Sequence, residues 1–89
     1  MSSTLEVIRQ IVATIKRTPS LASELHGDTN LIEEVKLDSL ELLQFMLEVE
    51  ERLAIRIDFE ALDFSHLQSI GRLAEFLDSM PAFPAPNAP

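Results

Sequence analysis

The sequence predicts an all-α fold, a small four-helix bundle with three main helices, a short third helix and a long loop between the first and second. Three observations predict it. Apolar residues recur at three- and four-residue steps in the stretches 5–15, 39–53 and 67–77, the period of a helix that buries one stripe. The single run that alternates like a strand, Ala54-Ile55-Arg56-Ile57-Asp58, has no partner elsewhere in the chain and cannot form a sheet alone. At 89 residues the chain has room for one core, burying about 60–65% of the surface that an unfolded chain exposes.

The first helix opens on Ser3-Thr4-Leu5-Glu6, a capping-box pattern, and continues through Leu5, Ile8, Val12 and Ile15, with Val7 and Ile11 widening the stripe. Lys16 and Arg17 suit its negative end, and Thr18-Pro19 is predicted to stop it, because the residue before proline is pushed out of the α region. Residues 20–37 lose the period but keep isolated apolar anchors at Leu21, Leu25, Leu31, Ile32 and Val35, between turns at Gly27 and Asp28-Thr29-Asn30. A loop this long tends to be functional or to hold a short helical turn, which residues 20–25 could supply.

The second helix, residues 39–53, carries more apolar residues than one buried face requires. At about 100° per residue, Leu42, Phe45, Met46, Val49 and Leu53 gather on one side and face the core. Leu40, Leu43 and Leu47 gather on a second side, flanked by Gln44, Glu48, Glu50 and Glu51. That makes an apolar ridge in an acidic surface, either covered by the long loop or left open for a partner protein.

Residues 54–58 read as an extended linker whose Ile55 and Ile57 plug the core. Residues 59–64 are long enough for a minor third helix, and Ser65-His66-Leu67-Gln68 reads as the capping box of a final helix through Leu67, Ile70, Leu73, Ala74, Phe76 and Leu77. Gly71 inside it costs about 1 kcal/mol relative to Ala, tolerable where a neighbour packs close. After residue 79 the chain becomes a Pro/Ala-rich tail that cannot continue a helix, so the expected organisation is a folded domain over 1–79 and a disordered or extended tail over 80–89.

Composition excludes several classes of function. Fifteen acidic against seven basic residues give a net charge of −8, which repels nucleic acid and attracts basic protein surfaces. Trp and Tyr are absent, so stacking platforms for bases are lacking. Cysteine is absent too, which removes disulfides, thiolate metal sites and a cysteine nucleophile. His26 and His66 lie forty residues apart with no ligand cluster around either, so no metal site is expected. No leader pattern and no apolar run near the ~20 residues of a membrane span is present, so the expected location is cytoplasmic and the expected state a monomer.

Chemistry is concentrated at Lys36-Leu37-Asp38-Ser39-Leu40-Glu41, where loop becomes helix. Asp38 and Glu41 have capping-box spacing, and Ser39 falls on the first helical position, beside unpaired N–H groups and the positive end of the helix dipole. Such a place suits a phosphate. The same pattern is also an ordinary helix start, and the serine alone does not separate the two.

The order of elements and the Leu37-Asp38-Ser39-Leu40 junction resemble the acyl carrier protein family, the phosphopantetheine-bearing carriers of fatty acid, polyketide and nonribosomal peptide synthesis. The likeness runs over about residues 4–78 and includes Asp28-Thr29-Asn30-Leu31-Ile32-Glu33-Glu34 and Glu48-Val49-Glu50-Glu51. It implies that a phosphopantetheinyl transferase installs a 4'-phosphopantetheine arm on Ser39 from coenzyme A. Asp38 is then the residue that contacts the metal and the transferase during loading. It further implies that Leu40, Leu43 and Leu47 form the docking ridge, with Glu41, Glu48 and Glu51 as acidic recognition points for basic partner surfaces on acyl- or aminoacyl-activating and transferring enzymes.

This chain departs from the family in having Lys36 where a glycine often stands two residues before the Asp, and Arg52 and Arg56 where acids often run on. Phe59, Phe64 and His66 make the third-helix region more aromatic. These departures favour a specialised fatty-acid or polyketide-type pathway over general fatty acid synthesis. Two further readings stand beside that of a non-catalytic acyl carrier: a stand-alone aminoacyl (peptidyl-type) carrier, and an arm-less helical adaptor that docks through the ridge. A hydrolase using Ser39 would need a base, and only His26 or His66 is offered. Phe45, Met46, Phe64 and Phe76 could line a cavity for a long chain or fill it.

Overall fold

The structure, a computed structural model, describes residues 4–81. Its helices are α1 (Thr4–Ile15), α2 (Leu21–Glu24), α3 (Ser39–Leu53) and α4 (Ile70–Asp78), with a 3-10 helix over Phe64–Gln68 ahead of α4. The architecture is the small all-α bundle that the periodicity predicts. α1 packs against α2, α3 and α4, because its stripe is wide: Ile8, Ile11, Val12 and Ala13 are all buried. They meet Phe45, Met46 and Val49 of α3 and Ile70, Leu73 and Leu77 of α4 in one core, each large side chain contributing about 1.5–3 kcal/mol. Thr4 Oγ1 donates to Asp78 Oδ1 and ties the start of α1 to the end of α4. No helix among the described residues is long and apolar enough to cross a membrane.

α1 stops earlier than Thr18-Pro19 requires. Arg17 turns left-handed at φ 55, its N–H bonds the Thr14 carbonyl at 3.1 Å and the Thr18 N–H bonds Ala13 at 3.0 Å. That is a Schellman ending with arginine in the position glycine usually takes. α2 lies within the predicted 20–25, and Arg9 Nε holds it by donating to the Ala22 carbonyl at 2.8 Å.

The long loop is pinned down rather than loose. Leu25, Leu31 and Leu37 are buried, and the Asn30 side chain accepts from the Ile32 and Glu33 N–H groups at 2.8 Å. The loop pairs with the entry to α4 through Leu31 N–H to Leu67 at 2.9 Å, Ile70 N–H to Thr29 at 3.0 Å and Gly71 N–H to Gly27 at 2.8 Å. Backbone groups that a free loop would leave to water are thereby satisfied.

The short third helix is displaced from its predicted place. Residues 58–62 make a single turn in which Ala61 and Leu62 donate to the Asp58 carbonyl at 3.1 Å; Leu62 packs on the core but Phe59 stays exposed, too little burial to extend the turn into a helix. The 3-10 helix forms instead over Phe64–Gln68, where the Asp63 N–H donates to His66 Nδ1 at 2.8 Å and the His66 ring stacks on Phe76 at 4.5 Å. The expected Ser65 cap is therefore not the start of the last helix. Ser69 caps it, accepting from the Arg72 N–H at 3.3 Å while its hydroxyl donates to Gly27 at 2.7 Å. The serine with a tertiary partner prevails over the one with only a local pattern.

α3 ends on Ala54, left-handed at φ 53. Beyond it Ile57 is buried and Ile55 packs on the core, as predicted for the extended linker. Glu50 leaves the acidic flank of the ridge to accept the Ile57 N–H at 2.8 Å. Met80 and Pro81 pack on this linker, with Asp58 N–H donating to Met80 Sδ at 3.3 Å and Arg56 N–H to the Pro81 carbonyl at 3.1 Å. The Ser3 cap and the tail from residue 82 onward lie outside the described residues.

Candidate functional site

The loop delivers the chain to α3 with Leu37 buried as its last anchor and the Leu37 N–H on the Leu31 carbonyl at 3.2 Å. Asp38 then adopts the extended N-cap conformation, φ −82 and ψ 179. Its carboxylate accepts the Glu41 N–H at 2.7 Å, and Glu41 Oε1 accepts the Asp38 N–H at 3.1 Å. Both halves of the capping box predicted from the i, i+3 spacing are present.

Ser39 is the first residue of α3 and is exposed. No described side chain is hydrogen-bonded to its hydroxyl, and the His66 imidazole is engaged elsewhere, accepting from Asp63 and stacking on Phe76. An exposed alcohol at a capped helix start offers a group for modification. The surroundings fit a phosphodiester: the hydroxyl is open to solvent, and the first-turn N–H groups and the dipole favour negative charge.

Along α3 the two predicted faces separate. Phe45, Met46 and Val49 are buried, whereas Leu40, Leu43 and Leu47 are 66%, 53% and 56% exposed. The ridge is not covered by the loop. Of the three acidic residues named with it, Glu51 is exposed, Glu48 is half-buried and lies 3.5 Å from Arg52 Nε, and Glu41 turns inward. Phe64 is 58% exposed, so it does not line the interior; Phe45 and Met46 fill the core and Phe76 packs against it.

Lys16 is the site residue that sequence reasoning missed. Its Nζ lies 2.8 Å from Glu41 Oε1 and donates to the Lys36 carbonyl at 3.1 Å. The ammonium, followed by the Asp38 N–H, holds the Glu41 carboxyl below its ordinary value of 4.5. No local pattern signals this pairing, because the partners are 25 residues apart. Lys36 itself is left-handed, φ 61, a backbone conformation that glycine takes without a Cβ penalty.

Against known proteins, a family model described as phosphopantetheine attachment site matches residues 6–77. Among curated proteins, none matches the chain.

Proposed function

We propose, from the premise that this chain belongs to the phosphopantetheine attachment site family, that Ser39 is its attachment point and that the protein carries an acyl group for partner biosynthetic enzymes. The family bears covalently attached 4'-phosphopantetheine, and a phosphopantetheine carrier works with a phosphopantetheinyl transferase and with acyl-handling enzymes. The arm supplies the terminal thiol that this cysteine-free chain lacks. The observation that carries the reading is the open, unbonded Ser39 hydroxyl on a helix start already capped by Asp38.

In this reading the chain is itself non-catalytic. Asp38 fixes the helix start and faces the transferase during loading, while Leu40, Leu43 and Leu47 dock partner enzymes. Glu48 and Glu51 steer partners with basic docking surfaces, acting more on association rate than on affinity. The working unit is a cytoplasmic monomer, residues 1–79, followed by a Pro/Ala-rich tail. The departures at Lys36, Arg52, Phe59 and Phe64 support a specialised fatty-acid or polyketide-type pathway.

Incubation with coenzyme A and a broad-specificity transferase tests the assignment by intact mass. The wild type gains one phosphopantetheine and Ser39→Ala gains none. A wild type that stays unmodified with several transferases leaves the arm-less adaptor as the better description. Subsequent charging by fatty-acyl or by aminoacyl-activating enzymes decides between an acyl and an aminoacyl cargo.

A further inference from the structure

Lys16 reads in the sequence as a charge placed for the end of α1. In the structure its Nζ donates to two acceptors, the Lys36 carbonyl at 3.1 Å and Glu41 Oε1 at 2.8 Å. These acceptors bracket Ser39, one on the loop before it and one on the first turn of α3 after it. The same Glu41 oxygen accepts the Asp38 N–H at 3.1 Å, so a single carboxylate oxygen serves both the helix cap and the ammonium. The Lys16 and Glu41 side chains are only 23% and 24% exposed, which shields the pair more than an open surface pair. Lys36 is left-handed at φ 61, and that turn presents its carbonyl to the ammonium.

We infer that Lys16 is a positioning residue for the loading of Ser39: by joining the Lys36 carbonyl to the Glu41 carboxylate it holds the turn 36–41 in one arrangement before a transferase arrives. The inference rests on Ser39 being the attachment point. In loading, Ser39 Oγ forms a bond to the pantetheine-side phosphorus of coenzyme A. The bond from that phosphorus to the bridging oxygen breaks, adenosine 3',5'-bisphosphate leaves, and the hydroxyl proton passes to the transferase or to solvent. Lys16 touches none of these atoms. Without it the Asp38–Glu41 box remains, but the turn loses its tether to α1, and a smaller fraction of docked complexes has the hydroxyl aligned for attack. Glu41 is tied to the turn through Oε1, which accepts from both Lys16 and the Asp38 N–H.

The experiment compares loading kinetics of the wild type, Lys16→Met, Lys16→Arg and, as a docking control, Leu47→Ala, with coenzyme A and one transferase. Lys16→Met lowers kcat about five- to tenfold while the KM for the carrier stays within about twofold. Lys16→Arg regains most of the rate, and Leu47→Ala moves KM instead. Amide exchange quickens in Lys16→Met at Leu37, Asp38 and Glu41 and is unchanged at Leu73 and Leu77. A wild-type kcat in Lys16→Met, or a loss that follows a general drop in melting temperature with faster exchange everywhere, overturns the inference. If the wild type takes up no arm at all, the attachment reading fails by itself. Exchange then decides for Lys16: unchanged rates at Leu37, Asp38 and Glu41 overturn its positioning role.

Discussion

The Gly71 amide donates to the Gly27 carbonyl at 2.8 Å, so the first turn of α4 rests directly on the backbone of the long loop. The Ser69 hydroxyl donates to the same oxygen at 2.7 Å, which leaves that carbonyl little freedom to move. This contact closes the loop that leads to Ser39, and because α4 begins at Ile70 the glycine expected inside the last helix is the second residue of α4, in its first turn.

A methyl group at position 71 would stand 3.2 Å from the Gly27 oxygen, whereas one at position 27 meets nothing within 4 Å. Gly71→Ala, at the second position of α4, gains less than the roughly 1 kcal/mol of helix propensity that an interior position would give, and it forces a carbonyl held by two donors, an overpacking cost of about 1–3 kcal/mol. The expected outcome is a net loss of about 1 kcal/mol for Gly71→Ala. Gly27→Ala, with no positive φ to strain, is neutral or gains up to about 1 kcal/mol. Urea unfolding of the two variants checks the contrast, and equal stabilities would refute the tight contact.

Left-handed backbone occurs at Arg17, Lys36 and Ala54 and at no glycine. Each Cβ crowds a carbonyl there, so glycine should relieve strain. Ala54→Gly, which gives up only a methyl group at the end of α3, stabilises by about 0.5–1 kcal/mol after allowing for the more flexible unfolded chain. Lys36→Gly gains by a similar amount, because the Lys16 bond is made to its carbonyl and not its side chain. Thermal unfolding of the two variants measures the gain; a lower melting temperature in both would argue against the left-handed assignments.

The Glu41 carboxyl is lowered first by its bond to Lys16 and then by the Asp38 N–H. A depressed value in the folded state means that the unfolded chain binds more protons near its ordinary value of 4.5. The stabilisation is therefore complete above that pH and is lost as the pH falls through the lower, folded value. The stability difference between wild type and Glu41→Gln should be largest at neutral pH, shrink below about pH 4.5 and diminish in high salt. Denaturant titrations over a pH series read this directly, and a gap that persists at the lowest pH would place the effect of Glu41 in packing rather than charge.

What the sequence determined by itself is whatever one helical turn or one helical face decides. The Asp38–Glu41 box was legible because i, i+3 spacing fixes its geometry wherever the helix starts. Leu40, Leu43 and Leu47 could be parted from Phe45, Met46 and Val49 because angle around a helix follows from residue number alone. Tertiary structure decided the rest. Whether Ser65 or Ser69 caps the last helix depends on a carbonyl that only the folded loop brings to Ser69, and Lys16 meets Glu41 only because the loop returns α3 alongside α1. Local pattern carries no information about such contacts, since their strength lies in a closure whose partners are distant in the chain and adjacent only after the core has formed.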